Sequence, residues 1–233
     1  MLRKLAIATF FSLIITPALS ASREIAFSGY NWEVRDSAGK EGGPGPNIFD
    51  GTPESVAVGA DGSLHLFIRK TGNIWTSSEV ILSQALGYGT YELEVETNPT
   101  TLPRSVVFGF FTYKHSPEQA HRELDVELSY WGKPNDVKNG QFVVQNDTTP
   151  GRVTRFTVNE AHTRYRIRWT KGLAEFIALS SAGNILQHWT RREGVPDADG
   201  AKIELNLWLY KGQPPQAGDQ VELVVKNFRF TPE

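Results

Sequence analysis

Residues 121–132 read His-Arg-Glu-Leu-Asp-Val-Glu-Leu-Ser-Tyr-Trp-Gly. Side chains on a β-strand alternate between faces, which puts Glu123, Asp125, Glu127 and Ser129 on one side. Leu124, Val126, Leu128 and Tyr130 fall on the other. A helix would scatter both sets, so this alternation predicts a strand with an apolar face on a core and an acidic face turned away from it.

The segment before it, Arg104 to Lys114 (RSVVFGFFTYK), is mostly apolar, as a strand covered on both faces should be. The two segments are separated by His115 to Ala120, a loop containing Pro117, and read as neighbouring central strands. Further upstream, Tyr88 to Thr97 sets Tyr91, Leu93 and Val95 against Glu92, Glu94 and Glu96, whose side is expected to face solvent. Ser63 to Arg69 alternates too, Trp75 to Gln84 reads as another strand, and Ser55 to Val58 as a short one. Glu24 to Val34 reads as a first strand, followed by a Gly- and Pro-rich loop at Asp36 to Pro46.

Downstream, strands are expected at Gln141 to Asn146, Val153 to Val158, Arg164 to Thr170, Ala174 to Ser180 and Gln220 to Phe230. Lys202 to Tyr210 turns Leu205, Leu207 and Leu209 inward and Asn206, Trp208 and Tyr210 outward. No helical periodicity persists over ten residues. About fourteen short strands with regular turns predict an all-β fold, a jelly-roll sandwich of two antiparallel sheets with a concave cleft.

The 233 residues suit a single domain, residues 21–233, after a leader at residues 1–20. That leader carries Arg3 and Lys4, an apolar run from Leu5 to Ile15, and small residues up to Ala21, the layout of a secretory signal peptide. Its apolar run is too short to span a bilayer. The expected destination is extracellular or periplasmic, with no membrane span and a monomeric chain. Acids outnumber bases 26 to 24, which gives nucleic acid no basic surface to bind. Cysteine is absent, so disulfides and thiolate metal sites are excluded. The five histidines show no metalloprotease spacing, and neither a phosphate-cradling glycine loop nor a serine nucleophile elbow is present.

Three carboxylates along one strand face repel one another, so at least one holds its proton to higher pH than a free acid. That places an acid and a nucleophile side by side. Glu123 and Glu127 are about 13 Å apart along the backbone. Side chains leaning together would approach the roughly 5 to 5.5 Å of a retaining glycosidase. Taken alone, the motif also fits a solvated face with incidental acids.

In wider context, Glu123-Leu124-Asp125-Val126-Glu127 resembles the signature of glycoside hydrolase family 16, most closely its bacterial lichenase branch, in the form without an inserted residue. Leu86 to Glu92 (LGYGTYE), Phe110 to Tyr113 and Asn206-Leu207-Trp208 resemble further family segments in the family's order. The resemblance covers roughly residues 75 to 231. It implies a β-glucanase acting on a polysaccharide without a cofactor, with Glu123 as nucleophile, Asp125 as assisting carboxylate and Glu127 as general acid/base. It also implies sugar contacts from Glu79, Tyr113, Gln141, Asn206 and Trp208, and His121, standing where lichenases carry an aromatic residue, is a further candidate sugar contact. Ile81 and Val143 replace polar family residues, which leaves substrate identity open. Relatives ligate calcium through an Asp where this chain has Lys226, so no metal is expected there. A non-catalytic polysaccharide-binding module and a transglycosylase remain alternatives on the same fold.

Overall fold

The computed structural model describes residues 23–216, 218 and 220–233. The predicted leader lies outside them. The described chain forms seventeen strands: β1 (Arg23–Phe27), β2 (Tyr30–Val34), β3 (Glu41–Gly42), β4 (Asn47–Phe49), β5 (Val56–Val58), β6 (Leu64–Thr71), β7 (Ile74–Leu82), β8 (Gly89–Val95), β9 (Val106–Tyr113), β10 (Leu124–Leu128), β11 (Gly140–Val144), β12 (Val153–Phe156), β13 (Thr163–Thr170), β14 (Leu173–Leu179), β15 (Ile185–Arg191), β16 (Lys202–Leu209) and β17 (Val221–Pro232). Among the described residues the only helical turns are three short 3-10 segments.

Two sheets stack face to face. The first runs β1-β2-β7-β16-β9-β10-β11-β12 and the second β5-β6-β17-β8-β13-β14-β15, each antiparallel throughout. The β6–β7 hairpin joins them at one corner, where β3 and β4 add a small flap that pairs in parallel with β7. The predicted jelly-roll sandwich is therefore the observed fold.

Between the sheets lies one core. Phe108, Phe110, Leu124, Val126, Leu128 and Leu205 project into it from the first sheet, and Leu93, Trp169, Phe176 and Phe228 meet them from the second. Each fully buried Leu, Val or Phe contributes roughly 1.5–3 kcal/mol. On β10 the three apolar side chains hold the strand down and offset the cost of carrying acids on its other face.

Two local readings change. Glu24 to Val34 is a hairpin rather than one strand, because Ser28 and Gly29 both adopt positive φ (52° and 79°) and reverse the chain tightly. The Asp36 to Pro46 loop contains β3. Strand β9 does neighbour β10, in register Phe111 to Asp125 and Gly109 to Glu127. Glu92, Glu94 and Glu96 face outward from the second sheet as expected, and Glu92 pairs with Arg166 and Arg229.

Candidate functional site

The outer face of the first sheet is concave, and the register of its central strands lines up a row of polar side chains. Gln141 on β11 faces Glu127 on β10, Glu127 faces Gly109 on β9, Gly109 faces Asn206 on β16, and Asn206 faces Glu79 on β7. One register step along, Val143, Asp125, Phe111, Glu204 and Ile81 form a parallel row. Glu123 precedes β10 in extended conformation, and its carbonyl oxygen continues the ladder by accepting from Gln145 N at 3.2 Å. These rows floor a cleft of about 450 Å³ lined by Glu79, Phe111, Tyr113, Glu123, Asp125, Glu127, Glu204, Asn206 and Trp208, with Arg35, Gly43, Pro44 and His115 at its sides.

Gly109 is a requirement of this floor. A Cβ there would lie 2.6 Å from Asn206 Oδ1, so no other residue fits between Asn206 and Glu127 without displacement.

Burial dominates the electrostatics. Asp125 is 2 % exposed, and burial together with Glu123 and Glu127 pushes its carboxyl well above the ordinary range. Burial also raises Glu123 and Glu127 to about 7 each. A hydrogen bond between Asp125 and Glu123 lowers the pKa of Glu123 and raises that of Asp125, so of the two Glu123 ionises first and Asp125 keeps its proton to higher pH. Gln145 donates to Asp125 Oδ2 at 3.1 Å. Gln141 donates to Glu127 Oε2 at 2.6 Å, favouring the ionised form against its burial. Glu79 is raised by burial despite Arg35, whose Nη1 donates to its Oε1 at 2.9 Å, while Asn206 Nδ2 donates to Oε2 at 3.2 Å.

The segment leading into Glu123 is strained. Gln119, Ala120, His121 and Arg122 all have φ between 50° and 60°, a conformation that costs a non-glycine residue roughly 1–2 kcal/mol. Anchors compensate. Arg122 is buried, its guanidinium donates to Asp197 O and Asp199 Oδ2 at 3.3 Å each, and Thr112 Oγ1 bridges Arg122 O and Leu124 N at 2.8 and 3.0 Å.

Most residues singled out in the sequence meet here. Glu79, Tyr113, Glu123, Asp125, Glu127, Asn206 and Trp208 all line the cleft. Trp208 is only 7 % exposed and packs edge-on to Trp131, 6.0 Å between centroids. Gln141 stands behind Glu127 with its amide nitrogen already committed. His121 stacks on the Tyr113 ring, 4.8 Å away and 8° from parallel, and buttresses it.

Sequence reasoning missed four residues. Glu204 and Gln145 were legible, since each shares strand parity with residues already chosen, Asn206 and Gln141. Arg35 and His115 arrive through chain reversals that leave no local signal. Lys226 places its ammonium 2.7 Å from Asp61 and 3.4 Å from Glu96. Among the described residues no group of His, Cys, Asp or Glu is arranged to hold a metal ion, and no helix is long and apolar enough to cross a membrane.

Among solved structures, the β-glucanase of Bacillus licheniformis matches 92 % of this chain and 100 % of its own, at a TM-score of 0.66 and 20 % identity. This chain has the β-glucanase fold. An immunostimulatory antigen and pseudo β-1,3-glucanase of Mycobacterium tuberculosis shares that fold over 87 % of this chain and 91 % of its own, at a TM-score of 0.66 and 17 % identity. So does a glycosyl hydrolase family 16 protein of Mycobacterium smegmatis, over 86 % and 91 %, at a TM-score of 0.65 and 16 % identity. No family model and no curated protein sequence matches the chain. The resemblance read from the sequence thus holds for the β-glucanase fold itself.

Proposed function

We propose that this chain is an exported, family 16 type glycoside hydrolase that cleaves internal β-1,3 or β-1,4 linkages of a glucan-type polysaccharide with retention of configuration. The observation that carries the proposal is the division of labour among three carboxyls on one strand. Asp125 holds its proton to higher pH than Glu123, and the charge of ionised Glu123 raises Glu127, so near neutral pH, where both glutamates are held at about 7, Glu123 is placed to ionise first as nucleophile while Glu127 keeps the proton it delivers.

Glu123 attacks the anomeric carbon and forms a glycosyl ester as the bond to the leaving oxygen breaks, and Glu127 gives that oxygen its proton. Glu127, now anionic, takes a proton from water as the water displaces Glu123. The proton regained by Glu127 restores the starting state. Tyr113, held by His121, and Trp208 offer aromatic faces for the C–H faces of sugar rings, and Asn206 and Glu79 offer partners to hydroxyls.

One solved neighbour is called a pseudo β-1,3-glucanase, so the same scaffold also supports a reading as a polysaccharide-binding protein without turnover. Reducing-sugar release across β-1,3-, β-1,4- and mixed-linkage glucans, galactan and xyloglucan separates the two. The expected result is release from at least one β-glucan, lost about 10³-fold or more in Glu123→Gln. Binding without release by the unaltered protein would leave the binding reading in its place. Added acceptor sugar in the same assay reports transglycosylation as lengthened products.

A further inference from the structure

Glu204 is absent from the mechanism above, yet it sits in the same floor. It is 4 % exposed, lies between Phe111 and Ile81 in the cross-strand register, and lines the cleft. Its Oε1 is buried without a hydrogen-bond partner among the described residues, with the exposed His115 ring Nε2 at 3.8 Å, beyond hydrogen-bond distance. Two positions along the same strand face, Asn206 Oδ1 is buried and equally unpartnered, because its amide nitrogen is taken by Glu79. A buried acceptor without a donor costs about 1–3 kcal/mol. Here two such acceptors stand side by side at i and i+2, about 7 Å apart along the strand, and both belong to the cleft. No protein group among the described residues supplies their donors, so these must come from what enters the cleft, water in the free protein and a ligand that displaces it.

The surrounding charge narrows that molecule. Five carboxyls, those of Glu79, Glu123, Asp125, Glu127 and Glu204, line the cleft against one guanidinium, Arg35, which is already committed to Glu79. A sulfated or uronic sugar would find no uncommitted guanidinium here to pair with its charge.

Resting on the glycosidase reading, we infer that Glu204 is a substrate-binding and specificity-determining residue. Glu204 Oε1 and Asn206 Oδ1 accept hydrogen bonds from hydroxyls of one uncharged pyranose unit packed over Phe111. The groups facing Glu204 are Glu79, Arg35, Glu123, Lys202 and His115. Burial, Glu79 and Glu123 hold Glu204 up to about 8, against Arg35 and Lys202.

The test measures calorimetric binding of β-gluco-oligosaccharides, a sulfated galacto-oligosaccharide and a 2-amino-2-deoxygluco-oligosaccharide to the slow variant Glu123→Gln. The same measurements are made after adding Glu204→Leu or Glu204→Gln. Expected are binding of the uncharged sugar, about a ten- to hundredfold weakening by Glu204→Leu, and weaker binding of the sulfated sugar than of the uncharged one. With Glu123 intact, Glu204→Leu should raise KM more than it lowers kcat, and its melting temperature should hold or rise, since an orphaned acid is removed. Equal affinity with and without Glu204 would overturn the inference and leave the glycosidase reading standing. Tighter binding of the amino sugar than of the uncharged one, abolished by either substitution, would overturn the assignment to hydroxyls. If no sugar binds to Glu123→Gln and none is cleaved by the unaltered chain, the glycosidase reading falls and takes the inference with it.

Discussion

Replacing Glu127 by Gln should make the protein more stable above neutral pH, by an amount that follows from its burial. The folded state holds Glu127 at about 7, against 4.5 for the free side chain. Between these values the unfolded chain has released the proton and the folded chain has kept it, so folding stability falls as pH rises. The whole contribution is lost by about pH 8. A shift of this size corresponds to about 3 kcal/mol. Glu123 and Glu204 act in the same direction, and Glu123 raises both Glu127 and Glu204, so the three titrate together and their sum is smaller than three separate terms.

For the unaltered chain a fall on the order of 5 kcal/mol is expected between pH 4.5 and pH 8. The depressed acids Asp50, Asp61, Glu92, Asp136 and Asp199 contribute with the opposite sign, but they lose their stabilisation only as pH drops below the ordinary carboxylate range. The window is therefore clean. Guanidinium unfolding followed by tryptophan fluorescence, at half-unit pH steps, reads the curve directly. Glu127→Gln should remove about 3 kcal/mol of the fall and cross above the parent near pH 6. A parent curve that is flat or rises from pH 4.5 to 8, with a constant denaturant slope, would show that the trio is hydrated and would refute the buried-acid account of the cleft.

Three further outcomes follow from the same geometry. Gln141→Ala removes the hydrogen bond that favours ionised Glu127, so the alkaline limb of the pH–rate profile should move to higher pH. An unmoved or lowered limb would assign that limb to another group. Arg35→Ala leaves Glu79 buried without its ion-pair partner and should cost about 2 kcal/mol at pH 8, less at pH 5 where Glu79 takes up a proton. Chemical denaturation at the two pH values checks it, and an equal loss at both would refute the charge explanation. Gly109→Ala drives a methyl into Asn206 Oδ1 and should cost about 1–3 kcal/mol while weakening substrate binding. Unchanged melting and KM would mean that Asn206 has room to move.

What the sequence made legible was what a single strand expresses by itself. Period-two alternation on β10 and β16 indicated which side chains share a face, and the acids, Asn206 and Trp208 followed from it. Strand β15 went unread because it borders its sheet, where Ile185 is 63 % exposed and no strong apolar contrast builds up along the strand. The β1–β2 turn was hidden because Ser28 carries none of the Asn or Asp preference of a reversed turn. Glu204 was visible in principle, as the next residue of the same parity before Asn206. The Arg35–Glu79 pair joins residues 44 positions apart and depends on pairing between strands, which no local pattern encodes.

The two-faced character of β10 also limits how a protein of this kind can change. Inserting or deleting one residue inside the strand would exchange its faces, sending carboxyls towards the sandwich interior and leucines into the open groove, unless a β-bulge absorbs the change locally. Variation in substrate range is therefore channelled to places where length is free: the approach to Glu123, the Gly- and Pro-rich arch at Gly43 and Pro44, and the connection after β11. The acidic row becomes a fixed rail, and changes of length fall along its borders.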